Sequence, residues 1–149
     1  VIPLLNFFRE IAPLLLARRH RIDEIPARRG QGLVNPAEEA RGRIREISPR
    51  ELARFKELPL IVDVRAEEEF FSGHIKGAKN VKRELLQVTV SQIAPDRSRA
   101  ILVYSAVGDQ GALAADSLQK LGYLNVFSLK GGLSGWLEAG GLVETPKVL

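Results

Sequence analysis

The sequence predicts an α/β domain built on a parallel sheet with helices on both faces, and three observations carry that expectation. Leu60-Ile61-Val62-Asp63-Val64, Ala100-Ile101-Leu102-Val103-Tyr104 and Asn125 to Leu129 are nearly continuous apolar runs, the pattern of strands buried on both sides. Stretches of about ten residues with helical signals lie between them, as parallel crossovers require. A chain of 149 residues, 45% hydrophobic and 27% charged, is long enough to bury one core.

The elements follow in order. Val1 to Ala17 is the most apolar segment, but Pro3, Asn6, Arg9, Glu10 and Pro13 interrupt it. It falls short of the ~18 apolar residues that span a bilayer. Its arginines follow the apolar run, which is the wrong order for a secretory signal. Leu4, Phe8, Ile11 and Leu15 recur at helical spacing and predict a short amphipathic helix, broken near Pro13. Packing on its own domain, or on a second copy to make a homodimer, is preferred over a partner- or membrane-surface role. Pro26 to Val34 reads as a linker. Asn35-Pro36 supplies an N-cap and a first-turn proline for a helix whose stripe is Ala37, Ala40, Ile44 and Ile47. Glu39 stands four residues before Arg43, so the arginines here are expected on a solvated face.

Ser48-Pro49-Arg50-Glu51 is a capping box opening a helix to about Glu57. After the first strand come a helix over Ala66 to Phe71 stopped at Gly73, a short strand over Ala78 to Val81, and a mixed helical region from Arg83 to Ile93. Gly111 to Leu121 is expected as a helix closed by Gly122, and Leu133 to Ala139 as the last helix.

Composition removes whole classes of chemistry. With no cysteine there is no disulfide, thiolate metal site or cysteine nucleophile, and His20 and His74 alone make a zinc site improbable. No cofactor or metal is expected. The chain has no methionine either, so Val1 is expected to mark a trimmed start. The net charge of +4 sits in the first 60 residues, with 12 basic against 8 acidic, while residues 61–149 balance at 10 and 10. No aromatic residues interleave with the arginines between Arg18 and Arg45, which disfavours nucleic-acid binding. A cytoplasmic protein is expected.

In parallel α/β sheets ligands sit at the carboxyl ends of strands. Three loops fall there: Asp63-Val64-Arg65, Ser105 to Gly111, and Lys130-Gly131-Gly132. The middle one, a strand running through a seven-residue turn into a helix, would form a cup of backbone N–H groups suited to an anion.

Several runs then resemble the rhodanese family, the fold of single-domain sulfurtransferases. They are Asp63-Val64-Arg65, Glu69-Phe70, Gly73-His74-Ile75, Gly77-Ala78 and Asn80, then Ala100 to Tyr104 with the Ser105–Gly111 loop and Ala112-Leu113-Ala114-Ala115. Leu121-Gly122-Tyr123, Asn125-Val126, Leu129, Gly131-Gly132 and Trp136 complete the series. The resemblance runs from about Ile47 to Val143 and implies a three-layer α/β fold with a mostly parallel sheet of about five strands. It divides the chain into a helical extension (1–46), a rhodanese-like domain (47–145) and a short tail (146–149).

In that family the loop reads Cys-x-x-Gly-x-Arg-Ser, and its thiolate, acidified by the cup, carries a persulfide. Here it reads Ser105, Ala106, Val107, Gly108, Asp109, Gln110, Gly111. The loop length and Gly108 are kept, and the nucleophile is not. Ser105 cannot form a persulfide. Gln110 stands where the family has arginine, and Asp109 adds a carboxylate. At ~4 Å from an anion that charge costs ~1 kcal/mol in water and ~4 kcal/mol at an effective dielectric of ~20. Three departures together favour natural divergence over a single substitution. A serine-hydrolase role lacks both a Gly-x-Ser-x-Gly elbow and a base, and His74 reads as packing. Asp63 and Arg65 are expected to brace the loop as an ion pair. The expectation is a non-catalytic binding or regulatory module, using the loop for a small anion or a protein partner. The alternative is a thiosulfate-type sulfurtransferase in a cysteine-lacking form.

Overall fold

Apolar residues alternate sides along the strands, and this places the core in two layers around one sheet. The computed structural model describes residues 35–146. The amphipathic helix expected over Val1 to Ala17 and the linker before Asn35 lie outside the described residues. The elements are α1 (Pro36–Arg41), β1 (Arg45–Ile47), α2 (Pro49–Ala53), β2 (Leu60–Asp63), α3 (Glu67–Ser72), β3 (His74–Ile75) and β4 (Lys79–Asn80). A 3-10 turn (Arg83–Leu85) leads into α4 (Leu86–Ile93), followed by β5 (Ile101–Tyr104), α5 (Asp109–Lys120), β6 (Val126–Leu129), α6 (Gly132–Glu138) and β7 (Val143–Glu144).

Five strands pair in the order β1-β6-β5-β2-β4, every neighbour parallel. Leu60, Val62, Ile101, Val103 and Val126 point to one face, where Leu86 and Val90 of α4 and Ala114, Ala115 and Leu118 of α5 cover them. Ile47, Ile61, Leu102, Tyr104 and Leu129 point to the other, against Leu52, Phe55, Phe70, Leu133 and Trp136. The period of two within each strand makes this three-layer division unavoidable once both faces are covered. Trp136 lies at the margin of this core: half-buried, its Nε1 donates to the Leu142 carbonyl at 2.9 Å.

Two helical expectations need correction. The stripe Ala37, Ala40, Ile44, Ile47 is not one helix: α1 stops at Arg41, Gly42 caps it, and Ile47 belongs to β1. The parallel ladder with β6, Arg45 against Phe127 through Ile47 against Leu129, satisfies backbone groups that a continued helix would have paired internally. The described residues from Asn35 onward belong to one compact unit. The helix expected from Gly111 begins at Asp109, which puts Asp109, Gln110 and Gly111 in its first turn.

The arginines at the end of α1 and just beyond it reach solvent as expected, and each also has a partner within the fold. Arg41 pairs with Glu46 at 3.1 Å and with Asp109 at 2.5 Å. Arg43 turns away from Glu39 to grip Asp116 with two bonds of 2.9 and 2.8 Å. Arg45 stacks over the Phe127 ring. A second, two-stranded sheet that the sequence did not announce pairs β3 antiparallel with β7, His74 opposite Glu144.

Candidate functional site

The five parallel strands bring the ends of β2, β5 and β6 to one edge, and the turns after them form the site. β5 ends in Tyr104, and Ser105 follows at 4% exposure. Its Oγ accepts the Gly111 N–H at 3.0 Å and the Gly108 N–H at 3.2 Å. The first four N–H groups of any helix lack intrahelical partners. Here one serine oxygen, lying outside the helix, takes up donors at the start of α5. Two of the loop's N–H groups, those of Gly108 and Gly111, are thus taken by the chain's own hydroxyl.

Two glycines make this geometry feasible. Gly108 sits at φ +119, in the region that favours glycine, and a Cβ there would meet the Gly131 backbone at 3.5 Å and Arg41 Nη2 at 3.6 Å. Gly132, at φ +58, lies so close beneath the loop that a Cβ would fall 2.4 Å from the Ser105 carbonyl oxygen. That approach lets Leu133 and Ser134 donate N–H groups to the Ser105 and Ala106 carbonyls at 2.8 and 3.0 Å. The start of α6 thus clamps the outer wall of the loop. Ala106 is exposed, and Val107 projects to solvent at 64% exposure.

Charges at the rim differ from the sequence expectation. Asp109 is not a free anion facing the cup, because Arg41 arrives from α1 to neutralise it, 68 residues away in the chain. Asp109 in turn holds the Arg41 guanidinium above its ordinary pKa, with Glu46 adding to the effect. Gln110 Oε1 accepts from the Arg83 guanidinium. The rim therefore contains two arginines, both supplied from outside the loop and both engaged. Sequence spacing offers no signal for either contact. Beside Arg83 lies an open cleft of about 440 Å³, lined by Val64 to Glu68 and Lys82 to Glu84.

Asp63 and Arg65 form a buried pair, with Nη2 to Oδ2 at 2.8 Å and Nε within 3.1 Å of both carboxylate oxygens. Arg65 Nη2 also donates to the Gly73 carbonyl at 2.7 Å, and Asn80 Nδ2 donates to the carbonyls of Asp63 and Arg65. The pair fastens the end of β2 to the α3–β3 turn. It reaches the Ser105 loop only through Tyr104, whose ring lies 5.9 Å from the Arg65 guanidinium. Burial, reinforced by the Asp63 carboxylate, pushes the Tyr104 phenol well above its ordinary pKa, so it stays neutral and accepts the Ile75 N–H at 3.1 Å. His74 packs flat on Phe70 with ring centroids 3.8 Å apart, and its Nδ1 lies 2.9 Å from the Phe70 carbonyl. It is tied into the fold far from any base role toward Ser105.

A five-stranded parallel sheet with a helix-capping loop at the end of its middle strand defines a class, and comparison with known proteins agrees. Residues 48–139 match the family model of the rhodanese-like domain, and the chain belongs to that family. Among relatives, it is 39% identical over 79 residues to the thiosulfate sulfurtransferase GlpE of Shewanella oneidensis, a stretch covering 53% of this chain and 76% of the relative. It is 30% identical over 107 residues to the uncharacterized protein YibN of Escherichia coli, covering 70% of this chain and 75% of that one. Among solved structures, a protein of unknown function from Rhodopseudomonas palustris, described as a possible tyrosine phosphatase, superposes with a TM-score of 0.68 at 26% identity. The match covers 80% of this chain and 99% of the other. A thiosulfate sulfurtransferase from Pseudomonas aeruginosa superposes with a TM-score of 0.61 at 33% identity, over 68% of this chain and 20% of that one.

Proposed function

We propose that this chain is a non-catalytic member of the rhodanese-like family, whose Ser105–Gly111 loop serves as a docking surface for a protein partner. The observation that carries the reading is the pair of bonds from Gly108 and Gly111 to Ser105 Oγ. A serine hydroxyl cannot hold a transferable sulfur as a persulfide. It already accepts the Gly108 and Gly111 N–H groups, so a small anion has to compete with it for those two donors. Arg41 at the rim is neutralised by Asp109 and Glu46, and position 110 carries Gln in place of a cation, so the loop itself offers an anionic donor no arginine. What the loop offers outward is Val107 and Ala106, a small apolar tip on a rigidly clamped turn. The cytoplasm is the proposed compartment, since a fold held by packing and ion pairs, with no cysteine in the chain, has no need of an oxidising one.

A second reading, a thiosulfate-type sulfurtransferase in cysteine-lacking form, is favoured by one observation. The two N–H groups still converge on the side chain at position 105, as a thiolate there would require, and the GlpE relative carries that activity in its name. The readings separate by amide chemical shifts of the wild-type chain titrated with thiosulfate. Docking by a protein predicts no saturable shift at Gly108 or Gly111 through millimolar concentrations. Saturation at those amides would show that the cup still takes a small anion.

A further inference from the structure

Asp109 and Asp116 stand seven residues apart on α5, two turns of helix, and so lie on one face about 10 Å apart. Each is gripped by an arginine from the stretch that ends α1 and leads to β1: Arg41, the last residue of α1, on Asp109, and Arg43 on Asp116. The two grips are unlike. Asp116 is 8% exposed at its side chain, holds Arg43 through both oxygens and takes Lys120 as well at 3.1 Å. Asp109 is 53% exposed, and a single bond joins it to Arg41. Arg41 has a second partner in Glu46, which retains it when Asp109 lets go. In the closed arrangement Arg41 Nη2 lies over Gly108, where the cup begins.

We infer that Arg41 is a releasable latch over the Ser105–Gly111 loop, on a strap anchored at Arg43–Asp116. The asymmetry sets the behaviour. An exposed single-bond ion pair contributes little and is screened by salt, whereas the bidentate pair on a buried carboxylate persists. With α1 packed along α5, the Arg41 backbone is held, so the Arg43–Asp116 pair is the fixed end and the Arg41 side chain the free end. Opening the free end uncovers Gly108 and the first turn of α5 without unfolding either helix. Arg41 then rests on Glu46, so no unpaired cation is created. The latch controls access to the loop proposed as the docking surface, but it is defined without any partner.

Amide hydrogen exchange of the full chain tests it. In the closed state the Gly108 N–H is bonded to Ser105 Oγ beneath Arg41. Arg41→Ala and Asp109→Asn should each speed exchange at Gly108 by about two- to five-fold, the range an exposed ion pair commands. The double variant should be no faster than either single one, because both remove the same contact. Raising salt from about 0.05 to about 0.5 M should have a similar effect on the wild type and little on Arg41→Ala. Arg43→Ala should instead lower the melting temperature and speed exchange across α5. Unchanged Gly108 exchange in Arg41→Ala overturns the latch. So does acceleration shared equally by Val103 and Leu118, which would make Arg41 an ordinary stability contact. Neither result depends on whether the loop binds a protein.

Discussion

Ser105 Oγ stands 3.0 Å from the Gly111 nitrogen and accepts its N–H, capping α5 from a position three residues before the helix N-cap at Gly108. In a loop whose family pattern places a reactive sulfur there, the side-chain oxygen of this chain caps the helix. Ser105→Ala removes the acceptor and leaves two buried N–H groups unpaired. It should lower stability by about 1–3 kcal/mol, measured by urea unfolding, with the loss of protection concentrated at Gly108 and Gly111. A neutral substitution would mean that solvent or another carbonyl replaces the hydroxyl.

Gly132 is the closest backbone approach to the loop. Gly132→Ala places a methyl 2.4 Å from the Ser105 carbonyl oxygen at φ +58, so either the α6 start or the loop has to move. The expected loss is at least about 3 kcal/mol in thermal or chemical unfolding. Gly77→Ala is the matched comparison: its φ is +82 but nothing lies within 4 Å of an added Cβ, so only conformational strain of about 1–2 kcal/mol applies. Equal losses at the two sites would remove the clash from the argument.

Asp116 sets an acid limit on the fold. Its bonds to Arg43 and then to Lys120 overcome the opposing effect of burial and draw its pKa down from 3.8 to about 2. A carboxyl group that is a stronger acid when folded stabilises the native state above its unfolded pKa, and that contribution fades as pH falls through the folded value. Asp116→Asn should therefore be less stable than wild type by roughly 1–2 kcal/mol at neutral pH, the exposed partners diluting the effect. The gap should close between about pH 4 and pH 2. A gap independent of pH would show that packing, not charge, supplies the difference.

The Asp63–Arg65 pair has the opposite character to the rim contacts, being almost wholly buried. Arg65→Leu leaves the Asp63 carboxylate without its guanidinium and the Gly73 carbonyl without a donor. A loss of about 3–5 kcal/mol is expected in equilibrium unfolding. The double variant Asp63→Asn with Arg65→Leu should recover part of it, because no lone charge stays buried. A double variant worse than the single one would contradict that account.

The legible parts of the fold were those written in contiguous residues. The strands at Leu60, Ile101 and Val126 are apolar on both sides because helices cover both faces, so their runs announce themselves. Strand β1 did not, since Arg45-Glu46-Ile47 is a short polar edge whose strand character comes from pairing with β6. Val143–Glu144 was hidden for the same reason, its partner being the two residues His74 and Ile75. At the site, the start of the loop after β5 and the missing cysteine could be read directly, while α5 begins two residues sooner than expected. Arg41 and Arg83 could not, because their contacts cross 68 and 27 residues of chain and local charge spacing pointed Arg43 at Glu39 instead. The doubled glycine at Gly131-Gly132 was the one visible sign that a backbone had to pass close by.

The central claim is that this loop has been turned from chemistry to structure. Thiosulfate:cyanide sulfur transfer by Ser105→Cys tests it most directly, with the wild-type chain as the background. Gly111 has no Cβ beside Oγ, and a sulfur there keeps the Gly108 and Gly111 N–H groups by lengthening bonds of 3.2 and 3.0 Å. The variant therefore restores a thiol inside an intact cup. With Arg41 paired to Asp109 and Glu46 and no arginine within the loop itself, the account predicts turnover no more than a few-fold above background. Robust transfer by Ser105→Cys, with a persulfide trapped on the new cysteine, would contradict it and leave the missing sulfur as the only barrier to catalysis.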